Sequence, residues 1–112
     1  MASIESNEDG GVTVVRIAGS LNQTGVDAVE SPFSEVTGLS RRMVVDLSRV
    51  DVVNTPAIAM FLGAHRAMKQ AGGRLIFTGV QGLVHELLHR CRLDTVLTIV
   101  PEVNEAVEWA RQ

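Results

Sequence analysis

The sequence predicts an α/β fold, a mixed and mostly parallel β-sheet of about five strands with about four helices packed on it. Three observations carry this. Short, continuously apolar runs occur at "RMVVDL" (42–47), "RLIFTGV" (74–80) and "VLTIV" (96–100), as strands covered on both faces require. Segments with apolar residues at helical spacing separate or follow them, at 55–71, 81–91 and 102–111. Strands alternating with helices imply parallel neighbours joined by right-handed crossovers. The 112 residues suit one domain over 1–112, and the 46% apolar content, poor in aromatics, implies a core of Val, Leu, Ile and Ala.

The elements follow in order. "GGVTVVRIAGSL" (10–21) alternates loosely, as a strand does, and "NEDGG" (7–11) turns a hairpin back to residues 2–6, giving an antiparallel pair at one edge. In "TGVDAVESPFSEVTGL" (24–39), Val26, Val29, Phe33 and Val36 recur at helical spacing, and Pro32 is expected to bend or shorten that helix. In the helix over 55–71, Ile58, Phe61, Leu62, His65 and Met68 are expected to face the sheet. The opposite side carries Pro56, Met60, Gly63, Ala67 and Gln70, a helix face without charge and suited to close approach by a partner. Gly72-Gly73 stops the helix, because glycine takes the left-handed backbone that a helix C-terminus favours.

Composition sets the function classes aside. A net charge of −3 argues against nucleic acid, which calls for a basic face. A single cysteine, Cys91, excludes an internal disulfide and suits a reducing cytosol; it is expected to be a small core residue. The acidic start "MASIESNEDGG" is the opposite of a signal peptide, and no apolar run approaches the ~20 residues that span a bilayer. A cytoplasmic domain without direct membrane insertion is the expectation.

"HELLH" (85–89) matches the His-Glu-x-x-His pattern in which two histidines hold zinc and the glutamate handles a proton on the attacking water. Three features oppose it. Val84, Leu87, Leu88 and Cys91 are expected to form the buried side of that helix, leaving His85 and His89 at its polar edge. The remaining histidine, His65, already has a place as a partly buried, hydrogen-bonded residue of another helix. A catalytic metal also needs a cleft, which this fold does not offer there. No metal site, cofactor or catalytic residue is expected.

The joint "NTP" at residues 54–56 begins the uncharged helix. Thr55 fits the N-cap, with Pro56 at the first helical position and Thr55 pushed toward extended backbone by the proline after it.

The stretches "VVDLSRVDVVNT" (44–55), "GAHRAMKQAGGRL" (63–75) and "GLVHELLHRCRLDTVLTIVPEVNEAV" (82–107) resemble the STAS domain, and within it the bacterial anti-sigma factor antagonists, over roughly residues 11–110. The resemblance implies a regulatory binding module that engages an anti-sigma factor with serine/threonine kinase activity, so that a sigma factor is released. It implies that the kinase switches the module off by phosphorylating a hydroxyl at the start of the second major helix. Aligned through "KQAGG", that residue is Thr55, with Asn54 in the place of the usual aspartate and Pro56-Ala57 in the place of a Ser-Gly pair. The acidic pair usual after the second strand is here the neutral Ser20-Leu21-Asn22. The implied contact surface is Ser20, Asn22, Asn54, Thr55, Pro56, Met60 and Gly63, and a homodimer is compatible with the sequence. STAS subunits of ABC-type lipid transport systems, which bind an ATPase subunit, are the alternative; there Thr55 would serve only as a helix N-cap.

Overall fold

Two glycines start the architecture. In the computed structural model, which describes residues 2–112, Gly10 and Gly11 hold positive φ angles of 57° and 86°. That geometry closes a tight hairpin turn that side chains with a Cβ resist. It joins strand β1 (Ser3–Asp9) to β2 (Val12–Leu21), antiparallel, with Asp9 opposite Val12. β1 therefore runs further than the residues 2–6 expected for it.

Strands β3 (Arg42–Val53), β4 (Arg74–Thr78) and β5 (Thr98–Val100) follow in parallel, and the sheet order is β1-β2-β3-β4-β5. Helices α1 (Gln23–Leu39), α2 (Thr55–Gln70) and α3 (Gly82–Arg90) contribute to the larger core, while α4 (Val103–Arg111) packs on Val12, Val14, Val44 and Ile76. The central strands are thus apolar on both faces, which explains the unbroken run "RMVVDL". The expected fold class, a mixed and mostly parallel sheet with four helices and an N-terminal hairpin, is the one observed.

Further differences from expectation concern β3, β5 and α1. β3 does not stop at Leu47 but continues to Val53, because two register shifts against β2 absorb its polar stretch. At the first, the buried Asp46 carboxylate accepts the Ser48 N–H at 2.9 Å and lies 3.7 Å from Arg16 Nε. Residues 96–97 are not strand; they join a short 3-10 turn at Leu93–Thr95 to a three-residue β5. Pro32 does not shorten α1, whose buried face of Val26, Val29 and Phe33 carries the helix across it. The proline itself is exposed, as is Ala28, whose carbonyl a proline at this position leaves unpaired.

α2 is also rotated from the expected setting. Its buried line is Ala57, Phe61, Ala64 and Met68, with Ile58, Leu62 and His65 half-buried beside it. Phe61 decides the rotation. Its ring stacks edge-on between Phe33 of α1, centroids 6.1 Å apart, and Phe77 of β4, 5.2 Å apart. The helix ends as the glycine pair predicts: Gly73 N–H returns to Met68 O at 2.9 Å and Gly72 N–H to Lys69 O at 3.2 Å.

Candidate functional site

The pairing of β2 with β3 assembles the candidate site. It sets Ser20 opposite Val52 and Leu21 opposite Val53, and the Asn54 N–H donates to Leu21 O at 3.1 Å. The chain leaves each strand through an asparagine and enters a helix, so the N-termini of α1 and α2 lie side by side. Asn22 Oδ1 accepts the Gly25 N–H at 2.9 Å, and Asn54 Oδ1 accepts the Ala57 N–H at 3.1 Å. Gly25 is needed there, because a Cβ at that position would run into the Ser20 carbonyl.

This corrects the assignment of Thr55 as the N-cap of α2. The cap is Asn54, with extended backbone at φ −109° and ψ −179°, and Thr55 is the first helical residue. Asparagine outranks threonine as a cap, and that preference overrides the extended bias that proline places on the residue before it. Pro56 takes the next position, where an N–H would have no partner within the helix. Ile58 N–H already bonds Asn54 O, so among the described residues Thr55 N–H is the first-turn donor without a partner. The exposed Thr55 side chain is not needed to start the helix.

The second register shift, between Gly19/Ser20 and Val50/Val52, makes Asp51 the extra residue of a β-bulge. Its carboxylate accepts the Ser20 hydroxyl at 2.9 Å. Asp51 was not among the candidates from sequence. The signal was a charged residue in an otherwise β-forming run, "VDVV", but only the register shows that its side chain joins Ser20.

The remaining candidates lie along α2. Pro56 and Met60 are half-buried, and Met60 packs against the main core rather than standing free on an outer face. Gly63 is exposed. Met60 and Gly63 line a shallow groove of about 330 Å³ between α1 and α2, together with Ser34, Gly38, Ala59 and Ala67. The structure thus gathers Ser20, Asn22, Asn54 and Thr55 at the helix starts, and places Met60 and Gly63 further along the same helix.

The His-Glu-x-x-His stretch has a different setting. His85, Glu86 and His89 are exposed on α3, and no group of three potential metal ligands occurs among the described residues. His89 Nδ1 lies 2.9 Å from Asp94 Oδ2, and this hydrogen bond holds the Asp94 carboxyl below its ordinary value. Cys91, expected in the core, is exposed at the C-terminus of α3, where the buried residues are Val84 and Leu88. No helix among the described residues is long and apolar enough to cross a membrane.

Comparison with known proteins agrees with this architecture. No curated protein sequence matches the chain. Among solved structures, an anti-sigma factor antagonist from Mycobacterium paratuberculosis superposes with a TM-score of 0.91 at 18% identity, covering 100% of this chain and 96% of that one. The phosphorylated form of the Bacillus cell fate determinant SpoIIAA superposes with a TM-score of 0.71 at 16% identity, covering 95% and 97%. A sulfate transporter family protein from Wolinella succinogenes gives 0.77 at 16% identity, covering 92% and 87%. At these identities the likeness is one of fold. The sequence model of the STAS domain matches residues 3–106, nearly the whole chain, and the protein belongs to the STAS domain family.

Proposed function

We propose that the protein is an anti-sigma factor antagonist of the partner-switching kind. It binds, in the cytoplasm, an anti-sigma factor with serine/threonine kinase activity and so frees a sigma factor. It is released when that kinase phosphorylates Thr55. The chain's own role is binding; ATP enters through the kinase alone.

One observation carries the proposal. The cap of α2 is made by Asn54, which leaves the Thr55 side chain exposed and its hydroxyl without a hydrogen-bond partner among the described residues, at the same helix start as Asn54. An exposed hydroxyl that makes no contact of the fold can be modified without rearranging the helix start. The proposal also draws on a relative of the same fold that is known in a phosphorylated form.

The consequence of modification follows from the helix start. A phosphate brings nearly two negative charges to the positive end of the helix dipole, so the fold tolerates it. Among the described residues Thr55 N–H is the first-turn donor left to receive it, because Pro56 has none and Ala57 gives its own to Asn54. The phosphate therefore stays hydrated and points outward. A docked partner would have to strip that hydration, which costs several kcal/mol on the scale of an unpaired interfacial charge.

The test is recovery of partners on a tagged chain from native cells, with phosphopeptide mapping of the chain itself. An anti-sigma factor kinase in the eluate and phosphate on Thr55 are expected. A transport ATPase with unmodified Thr55 would overturn the proposal and move the protein to the transport-subunit class.

A further inference from the structure

Asp51 supplies the negative charge that the neutral Asn22 and Asn54 do not. It is the bulged residue of β3, and the Ser20 hydroxyl holds one of its oxygens at 2.9 Å. It forms no ion pair with a basic side chain among the described residues. Val52, next along the strand, is 43% exposed, an apolar side chain open to solvent beside the fixed carboxylate. Two residues further on lies Asn54, and then Thr55.

A carboxylate held by a neighbouring hydroxyl has lost much of its freedom to turn away, so its charge sits at a fixed point on the surface. Exposed charges of this kind steer a partner and fix its register more than they add affinity. We infer that Asp51 is the electrostatic docking residue of this face: it receives a lysine or arginine of the kinase, whose aliphatic stem lies on Val52, and so sets Thr55 at the kinase's active site. Ser20 acts through Asp51, as a positioning residue. The inference rests on the partner-switching proposal and adds to it the chemistry of the partner's contact.

The experiment measures steady-state phosphorylation of Thr55 by the kinase recovered with the tagged chain, for wild type, Asp51→Asn, Asp51→Lys and Ser20→Ala. Asparagine keeps an oxygen for the Ser20 hydroxyl and removes only the charge, so an unchanged unfolding midpoint confirms that the fold is intact. Asp51→Asn is expected to raise KM about tenfold, with kcat within about twofold, and to flatten the dependence of KM on salt. Asp51→Lys raises KM further, and Ser20→Ala raises it by a smaller factor. An Asp51→Asn protein with the wild-type KM and salt dependence, while wild type is phosphorylated on Thr55, overturns the inference and leaves the partner-switching proposal standing. A fall in kcat at constant KM also overturns it, since Asp51 would then act in transfer and not in docking. If no kinase phosphorylates the wild-type chain, both fail together.

Discussion

Replacing Asn54 by alanine removes the side-chain cap of α2 and nothing else of substance. The bond lost is Asn54 Oδ1 to Ala57 N–H at 3.1 Å, while the backbone bond from Asn54 N–H to Leu21 O survives. A lost asparagine cap costs roughly 0.5–2 kcal/mol, typically about 1. For a domain of this size that shifts the thermal midpoint by about 4 °C. Thr55→Ala, by contrast, removes an exposed hydroxyl from the first helical turn and introduces the best helix former, so its expected change lies within about 0.5 kcal/mol. Asn54→Asp keeps the acceptor and adds a charge that favours the helix N-terminus, so it should match wild type or exceed it slightly. Urea unfolding of the three variants at neutral pH measures all of this with one protocol. If Thr55→Ala costs as much as Asn54→Ala, the cap assignment is wrong, and Thr55 is no longer a hydroxyl without a structural task.

Phe61→Ala should be the most damaging of the simple core truncations in α2, by about 3–5 kcal/mol in urea unfolding, because Phe61 is 1% exposed and touches both Phe33 and Phe77. Gly25→Ala forces a methyl against the Ser20 carbonyl, so it should cost about 1–3 kcal/mol and, in amide exchange, loosen the start of α1 before the centre of the sheet. Asp94 is held below the ordinary carboxylate range by His89; as a depressed acid, its contribution to stability is present above the unfolded-state value and lost as pH falls through the folded one. In a carboxyl-resolved NMR titration, His89→Ala should move the Asp94 midpoint up; an unmoved midpoint would refute the pairing.

Much of this was legible in the residues. The unbroken apolar runs at 42–47 and 74–80 announced strands covered on both faces, "NEDGG" announced a hairpin turn that the structure narrows to Gly10-Gly11, and Gly72-Gly73 announced the helix stop. What failed was decided between elements. The rotation of α2 depends on Phe61 meeting two aromatic rings from α1 and β4, which no single-helix pattern encodes. The length of β3 depends on two bulges whose extra residues have no partner in the ladder with β2. Cys91 looked like core by helical spacing, but α3 ends at Arg90 and Cys91, its C-cap, is exposed.

The site divides along the same line. Asn54-Thr55-Pro56 pointed to a helix start from sequence, and the resemblance singled out Thr55. Both Asn54 and Thr55 can cap a helix, and asparagine, the stronger cap former, holds the position, with Thr55 inside the first turn. Asp51 could not be assigned, because its place beside Ser20 is a matter of register between strands separated by the whole of α1.

The most direct measurement is the affinity of Thr55→Glu and Thr55→Ala for the kinase recovered with the chain. With the cap on Asn54, neither substitution disturbs the helix start, so a difference between them reports the charge at residue 55. If a charge at residue 55 is the switch, Thr55→Ala binds within about threefold of wild type, while Thr55→Glu loses about a hundredfold, as an unpaired charge at a docked contact demands. Equal affinities for the two variants would contradict it.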